Sequence, residues 1–278
     1  LSGSGDDTLI GSSGLNYIYG GLGNDFIYGG AGDDKLYGEE GNDTIVGGVG
    51  YDTIDGGAGI DTVSYFDASS VTLSLRGSSY GTATATYSGV SYNDRLYSIE
   101  NVIGSSGDDT IQGNEEDNVL DGAGGKNTVS YSGAAAGVTV DLGISSSQAV
   151  GGNQGNDTLI AIENIIGSAF ADTFKGNNIV SNTFNGGMNL TTQIENVSDE
   201  NDTVDYSTLT GVTDKIVVDL SNTSSANVAV TVAAVAQGAD TLINIENVIG
   251  SAGNDTFTGN SDSNILNGAD GDDYFYVK

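Results

Sequence analysis

A branched apolar residue recurs at every ninth position through the first 64 residues of the chain. Each one stands in the middle of a short run such as Thr44-Ile45-Val46. Because successive side chains of a strand point to opposite faces, we expect the middle residue to point inward and its neighbours outward. The pattern predicts one short strand in every nonapeptide, with an inward ladder formed by Leu9, Ile18, Ile27, Leu36, Ile45, Ile54 and Val63.

Glycines fill the segment that precedes each of these strands, as in Gly29-Gly30-Ala31-Gly32-Asp33-Asp34. Glycine reaches positive φ without steric cost, so such a segment can reverse the chain and turn its carbonyls toward one point. Two nonapeptides then make one coil of 18 residues, and coils stack at the strand spacing of about 4.8 Å. The sequence therefore predicts an all-β fold, a parallel β-roll or β-helix solenoid.

A longer module occurs three times after this regular region. Its copies open on Thr-Val-(Ser/Asp)-Tyr, at residues 62–65, 128–131 and 203–206, and close on Ile-Glu-Asn-(Val/Ile)-Ile-Gly-Ser, at 99–105, 162–168 and 245–251. Alternating Val, Thr and Leu residues after each opening predict strands with one buried face. We interpret the variable segments, about 66–93, 132–156 and 207–239, as longer rungs or hairpins inserted into the solenoid, because the nine-residue phase resumes after each closing.

The repeats predict four segments along the chain. They are a regular roll of seven nonapeptides over 1–65, an insert module over 66–130 that closes in nonapeptides 100–130, a second and partly irregular module over 131–201, and a third over 202–278 that ends in nonapeptides 246–276. Residues 178–201 fit the pattern least well. Since the chain starts inside a repeat and stops just after one, we expect it to be part of a longer protein.

An acidic or amide side chain follows the glycines of each of the first seven nonapeptides: Asp7, Asn16, Asp25, Asp34, Asp43, Asp52 and Asp61. Residues 18 apart become neighbours on one edge of the solenoid, so the odd and even repeats line opposite edges. Between consecutive coils on one edge, two such side chains and backbone carbonyls converge into an all-oxygen cage. The seven repeats give five such gaps, of which the first lies between repeats one and three and the last between repeats five and seven. Calcium takes about six to eight oxygen ligands, and the chain has no His or Cys for zinc or copper.

The motif Gly-Gly-x-Gly-(Asn/Asp)-Asp-x-(Leu/Ile/Val)-x resembles the calcium-binding nonapeptide of the RTX, or haemolysin-type, family. The resemblance covers residues 2–64, 100–130 and 246–276, and part of 163–187. It implies a right-handed parallel β-roll around calcium, in a bacterial protein exported by type I secretion. It also implies which residues bind the metal, through the carbonyls of the second and fourth residues and the Asp at the sixth: Gly21, Gly23, Asp25, Gly30, Gly32, Asp34, Gly48, Gly50, Asp52, Gly57, Gly59 and Asp61. By the same positions, Asp7, Gly41, Asp43, Asp109, Asp172, Asp255, Gly271 and Asp273 are further candidate ligands.

Some repeats depart from this motif. Glu39 replaces the second glycine before Asp43, and Ser12 does so before Asn16, where the side-chain charge is also lost. We expect the gap at Asn16 to bind calcium more weakly. The glutamates of the closing motif, Glu100, Glu163 and Glu246, lack the glycine turn, so we expect them to end or start a solenoid segment rather than to bind tightly.

Composition excludes several classes of function. The chain has 38 acidic residues against 7 basic ones, a formal charge of -31, which argues against nucleic acid and against anionic lipid surfaces. No apolar stretch approaches the roughly 20 residues of a membrane span, so we expect no membrane insertion. Without His or Cys, serine and cysteine triads are nearly excluded, and we identify no catalytic residue and no enzyme activity.

Two interpretations of the function remain open. Aligned carboxylates repel one another without metal, so calcium binding and folding become one event. Inserts rich in Thr, Ser and Ala, and very few Lys, favour a structural module of a secreted bacterial surface protein, an S-layer or adhesin. The alternative is a non-catalytic carboxyl-terminal module of a type I-secreted enzyme or toxin. The expected partners are several calcium ions, and copies of the chain or a cell-surface polysaccharide. Tyr19 and Tyr37 face outward 18 residues apart and could stack as a binding strip, but such ladders more often only add cross-strand packing.

Overall fold

The structure is a computed structural model that describes residues 3–76, 79–177, 181–187, 201–211, 214–221, 228–230 and 239–276. Much of the irregular segment predicted at 178–201 and part of the third insert lie outside the described residues. Within the described part the chain forms 28 strands and no helix. Accordingly, no helix in this part is long and apolar enough to cross a membrane.

The strands are short and follow one another along the whole described chain. Strands β1 to β14 are Thr8–Ile10, Tyr17–Leu22, Phe26–Ala31, Lys35–Glu40, Thr44–Val49, Thr53–Ala58, Thr62–Ser64, Ser70–Ser74, Gly81–Tyr87, Val90–Tyr97, Asn101–Ile103, Thr110–Gln112, Val119–Asp121 and Thr128–Ser130. Strands β15 to β28 are Thr139–Asp141, Gln148–Ala149, Asn156–Ile160, Asn164–Ile166, Thr173–Lys175, Thr183–Asn185, Thr203–Asp205, Val217–Asp219, Val228–Val230, Asp240–Ile243, Asn247–Ile249, Thr256–Thr258, Leu266–Asn267 and Tyr274–Tyr276.

Residues 1–129 and 154–162 form one compact unit. Its first seven strands alternate between two sheets, with β1, β3, β5 and β7 in one and β2, β4 and β6 in the other. All of these pairs are parallel, and the register joins residues 18 apart, as in Ile27 with Ile45 and Leu36 with Ile54. The predicted parallel β-roll with an 18-residue coil is confirmed.

The first insert contains both a rung and a hairpin. Strand β8 pairs in parallel with β12, with Leu73 opposite Ile111, and so extends the solenoid. Strands β9 and β10 form an antiparallel hairpin, and the end of β10 returns to pair in parallel with β6, with Leu96 opposite Ile54. Strand β9 also pairs in antiparallel fashion with β8, so the two hairpin strands lie between β6 and β8 in one continuous sheet.

The inward ladder forms the core of this unit, and Ile27, Leu36, Ile45, Ile54 and Val63 are fully buried. The first two ladder residues, Leu9 and Ile18, are only partly buried, since the described part of their coil is stacked on one side alone.

Val46, which follows the ladder residue Ile45 and was expected to point outward, is fully buried. Tyr28, opposite Val46 in the sheet, donates its hydroxyl hydrogen to Asp67 of the first insert. The insert therefore lies over this part of the outer face.

Residues 130–153 and 163–278 form the second compact unit. Strand β19 pairs in parallel with β15 and β21, and strand β26 pairs in parallel with β22 and β28. Strand β23 is antiparallel to β24. Here aromatic residues replace much of the aliphatic ladder: Phe174 stacks on Phe184 with ring centroids 6.0 Å apart, and Phe257 on Phe275 at 5.2 Å. The division into four segments stays a prediction.

Candidate metal centre

The glycine turns present backbone carbonyls along the direction in which coils stack. Gly23 and Gly41 hold φ at 119° and 131°, a region that side chains rarely adopt. A Cβ on Gly41 would collide with the carbonyl oxygen of Gly23, and one on Gly59 with that of Gly41. Only glycine allows this close approach of a carbonyl to the next turn. Glu39, in the place of a second glycine, still adopts the turn, with φ of 77°.

The aspartates between these turns form a ladder through one carboxylate oxygen. Oδ1 of each accepts a hydrogen bond from the backbone N–H of the residue at the same position in the preceding coil. The N–H of Asp25 donates to Asp43 Oδ1 and that of Asp34 to Asp52 Oδ1, each over 2.8 Å. The ladder includes the predicted residues Asp7, which donates to Asp25, and Asp61, which accepts from Asp43. These bonds fix each carboxylate in the gap between two coils.

The second oxygen of five of these carboxylates is buried and has no hydrogen-bond partner in the described part of the chain: Oδ2 of Asp25, Asp34, Asp43, Asp52 and Asp61. Each of these atoms faces the first glycine of its own turn. A Cβ built on Gly29 would lie 2.7 Å from Asp34 Oδ2 and 2.6 Å from the carbonyl oxygen of Gly47 in the next coil. A carboxylate oxygen and a carbonyl oxygen thus border the same small space, and no donor from the described residues bonds to the carboxylate oxygen there.

Burial disfavours the charged form of these side chains. It raises the pKa of Asp34 and Asp43, and it raises that of Asp52 to about 8 and that of Asp61 to about 6. The N–H groups that bond Oδ1 act in the opposite direction, and neighbouring carboxylates raise the pKa further. A row of buried, mutually repelling carboxylates is stable in ionised form only beside positive charge.

The donor set of these gaps fits calcium. No three or more His, Cys, Asp or Glu side chains come together in a metal-holding group within the described residues. A cation here would therefore be bound by a pair of carboxylates at most, and the other ligands would be backbone carbonyls of the glycine turns. A site made only of oxygens suits a hard cation with a flexible coordination shell, as calcium has.

Three of the predicted ligands lie in turns of a different kind: Asp109, Asp172 and Asp255. Their turns begin with Gly-Ser instead of Gly-Gly. The backbone N–H of Ser105 donates to Asp109 Oδ2 over 2.6 Å, and its hydroxyl donates to Oδ1 over 2.7 Å. Both oxygens of this carboxylate therefore accept hydrogen bonds from within its own turn.

The last predicted turn keeps the glycine conformation. Gly271 has φ of 114°, and a Cβ there would meet the carbonyl oxygen of Gly253. Asp273 Oδ1 accepts the N–H of Asp255 over 2.8 Å. The structure thus places Gly271 and Asp273 at the positions of the regular turns, but Ala269 replaces the second glycine, with φ of 64°, and Asp273 is only half-buried.

The closing glutamates occupy aspartate positions of the ladder. Glu100 Oε2 accepts the N–H of Asp61 over 2.8 Å, and Glu246 Oε2 accepts that of Asp202 over 3.0 Å. The longer glutamate side chain reaches the same N–H without a glycine turn below it.

Sequence reasoning gave no role to Asp94 and Asp240, which the structure places in the ladder. Asp94 Oδ1 accepts the N–H of Asp52 over 2.9 Å, and Asp240 Oδ1 accepts that of Asn182 over 2.8 Å. Their Oδ2 atoms accept hydrogen bonds from the buried hydroxyls of Tyr65 and Tyr206, each over 3.0 Å. The constant spacing of six residues from these aspartates to the closing glutamates was the available signal.

Comparison with protein families identifies this repeat. A family model described as RTX calcium-binding nonapeptide repeat (4 copies) matches residues 1–36, 28–63, 99–132 and 244–276. A search among curated proteins gave no match to the chain. The family match confirms the resemblance carried by the nonapeptide motif, and RTX nonapeptide repeats bind calcium.

Proposed function

Because this chain carries RTX calcium-binding nonapeptide repeats, we propose that it is a calcium-folded structural module of a secreted bacterial surface protein, such as an S-layer protein or an adhesin. The coarser part of this statement, a calcium-binding structural module, follows from the repeats themselves. The coupling to extracellular calcium and the place at the cell surface are the proposal.

One observation carries the coupling of folding to calcium. Five buried carboxylate oxygens in consecutive turns lack a hydrogen-bond partner within the described residues. A buried polar atom without a partner destabilises the folded state, and a buried charge does so more strongly. Calcium in the gaps would satisfy all five, so its binding free energy becomes folding free energy.

The affinity expected of such sites explains when folding would occur. Extracellular calcium modules have dissociation constants of roughly 10⁻⁴ to 10⁻³ M. At the low free calcium of a bacterial cytosol the chain would stay unfolded and could pass through a secretion channel. Millimolar calcium outside the cell would then fold it.

The composition and one surface feature support a role at the cell surface. The charge of -31 requires cations for compactness and would keep the protein away from anionic lipid. Tyr19 and Tyr37 stack as predicted, with centroids 4.8 Å apart and ring planes 8° from parallel. Such a pair offers aromatic surface and two hydroxyl groups to a sugar or to another copy of the chain. We include a cell-surface polysaccharide or a second copy among the proposed partners.

Circular dichroism of the whole chain tests the coupling to calcium. We expect a disordered spectrum in a chelator and a β spectrum after addition of millimolar calcium, with magnesium at the same concentration as the control, since magnesium demands stricter octahedral geometry. A full β spectrum in the chelator would refute the coupling.

Electron microscopy of the calcium-folded chain tests the proposed role at the cell surface. Ordered two-dimensional sheets or fibres would support the surface role, whereas dispersed single particles would favour a carboxyl-terminal module of a secreted enzyme or toxin.

A further inference from the structure

Ladder carboxylates differ in what meets their second oxygen. In the regular region Oδ2 of Asp25, Asp34, Asp43, Asp52 and Asp61 meets no donor from the described residues, and we call these the open turns. The turns of Asp109, Asp172 and Asp255 we call the serine-closed turns. They share the first glycine with the open turns, and a Cβ on Gly104 would again meet Oδ2 of its aspartate and a carbonyl of the next coil.

A serine fills the space in each serine-closed turn. The N–H of Ser168 donates to Asp172 Oδ2 over 2.7 Å, and its hydroxyl donates to Oδ1 over 2.8 Å. Ser251 makes the same two bonds to Asp255, at 2.6 and 2.8 Å. Both aspartates and both serines are buried. The same two donors therefore meet the carboxylate in all three turns, including that of Ser105.

Backbone conformation explains why the open turns lack this donor. In the open turns the second residue has positive φ, as Gly21 at 108° and Gly48 at 91° do. In the three serine-closed turns the second residue, which is Ser105, Ser168 or Ser251, does not have positive φ, and its N–H donates to the carboxylate.

Amide side chains supply an independent case of the same replacement. At two ladder positions occupied by Asn, the side-chain nitrogen donates to a backbone carbonyl of the neighbouring coil. Asn118 Nδ2 donates to the Glu100 carbonyl over 2.7 Å, and Asn264 Nδ2 to the Glu246 carbonyl over 3.0 Å. In these turns the oxygen that faces the first glycine is Oδ1, and it accepts the N–H of the second turn residue, Asn114 or Asn260, over 2.9 Å.

We propose that the serine-closed turns bind no calcium, because Ser105, Ser168 and Ser251 occupy the place of the ion with hydrogen-bond donors. This inference rests on the proposed calcium-dependent fold, and it divides the repeats into metal-dependent turns and turns that close without metal. The motif by itself predicts Asp109, Asp172 and Asp255 as ligands. In the structure, the serine of each Gly-Ser pair instead donates the hydrogen bonds that these carboxylates would otherwise replace by binding calcium.

The test counts calcium ions per folded chain by elemental analysis after equilibrium dialysis. The variant Ser105→Gly/Ser168→Gly/Ser251→Gly restores the Gly-Gly pair in all three turns. We expect it to bind up to three more ions than the wild type at millimolar calcium. Ser106→Gly, a change of the neighbouring exposed serine, is the matched control and should leave the count unchanged. An equal count in the triple variant and the wild type overturns the proposal.

A second variant keeps the test decisive if the triple variant fails to fold. Asp255→Asn removes the carboxylate of one serine-closed turn, and its calcium count should equal that of the wild type. A loss of one ion or more in Asp255→Asn would overturn the proposal. Failure of the proposed function gives a different result, because a wild-type chain that binds no calcium, or that is fully folded without it, refutes the metal-dependent fold itself.

Discussion

The backbone N–H of Asp25 donates a hydrogen bond of 2.8 Å to Oδ1 of Asp43, which lies one coil further along the solenoid. This bond stacks the coils, and it also orients the Asp43 carboxylate so that Oδ2 remains buried without a partner in the described residues. The hydrogen bond that stacks two coils therefore also leaves a buried carboxylate oxygen that a positive charge would stabilise. Because this bond recurs along the edge of the solenoid, such an oxygen recurs with it.

Asp43→Asn should keep the stacking bond and lose the metal. The amide oxygen can still accept the N–H of Asp25, but an NH2 donor replaces the free carboxylate oxygen. Outer-shell partners of metal ligands typically contribute about 10- to 100-fold to affinity, so loss of a ligand should raise the calcium midpoint of folding by at least about tenfold. A calcium titration followed by circular dichroism measures the shift. Asp262→Asn removes an equal charge at an exposed position and should leave the midpoint in place; equal midpoints for the two variants would contradict the assignment.

The stability of the calcium-free chain should fall as the pH rises. Asp52 and Asp61 have folded-state pKa values of about 8 and about 6, above the value of 3.8 for a free aspartate, chiefly because burial disfavours their charged forms. The folded state therefore holds more protons than the unfolded state. The stability that these bound protons give the folded state is complete below about pH 4, and it is lost as the pH rises through the two folded-state pKa values.

With calcium the dependence should reverse, since the ion binds the ionised carboxylates and protons compete with it. The folded fraction in a chelator, measured by circular dichroism at a series of pH values, and urea denaturation in saturating calcium at the same pH values compare the two. Calcium-free stability that increases from pH 5 to pH 8 would contradict the prediction.

Gly41→Ala should destabilise the roll even with calcium present. The φ of 131° at Gly41 is strained for alanine, and the new Cβ would collide with the carbonyl oxygen of Gly23. Backbone strain of this kind costs about 1 to 3 kcal/mol, before any loss of metal is counted. Gly14→Ala is the matched control, because a Cβ there meets no atom within 4 Å and its φ is not positive. Urea denaturation in calcium measures both, and similar losses in the two variants would rule out the close approach as the cause.

Tyr206→Phe should destabilise the chain without changing its calcium count. The Tyr206 hydroxyl donates to the buried Asp240 Oδ2 over 3.0 Å, and hydrogen bonds to charged groups contribute about 1.5 to 3 kcal/mol. Thermal denaturation in calcium, combined with elemental analysis, separates the two effects. Tyr274→Phe alters a ring that is 63% exposed and should change neither quantity. Loss of a calcium ion in Tyr206→Phe would mean that metal binds at Asp240.

Tyr19→Ser/Tyr37→Ser tests the proposed aromatic contact with a polysaccharide. The double variant should keep its calcium-dependent spectrum and lose at least about tenfold in binding to isolated cell-wall polysaccharide, since stacking on an aromatic ring contributes of the order of 1 kcal/mol or more for each ring. Tyr274→Ser serves as the control for loss of an exposed tyrosine. Unchanged binding by the double variant would remove this pair from the contact surface.

The regular part of the fold was predictable because its contacts recur at a fixed separation. An inward apolar residue every nine positions specifies one strand per nonapeptide, and pairing at 18 residues follows from two strands per coil. Ile27 opposite Ile45, and Asp25 beside Asp43, are consequences of this arithmetic. Even the tyrosine stack between residues 19 and 37 is set by it.

The sequence by itself thus determined the roll, its buried ladder, the edges on which the acids lie and the identity of the metal. The tertiary structure alone decided which carboxylate oxygens are buried without a hydrogen-bond partner among the described residues. The Tyr65 hydroxyl donates a hydrogen bond to Asp94, 29 residues away, and the Tyr206 hydroxyl to Asp240, 34 residues away. These separations depend on how the inserts fold back onto the roll, and the nine-residue repeat does not determine them. Likewise, Ser105 donates its N–H and its hydroxyl to Asp109 at a position where the regular turns have a residue with positive φ. A repeat specifies where a group lies, whereas the donors that surround it depend on the orientation of peptides and hydroxyls in three dimensions.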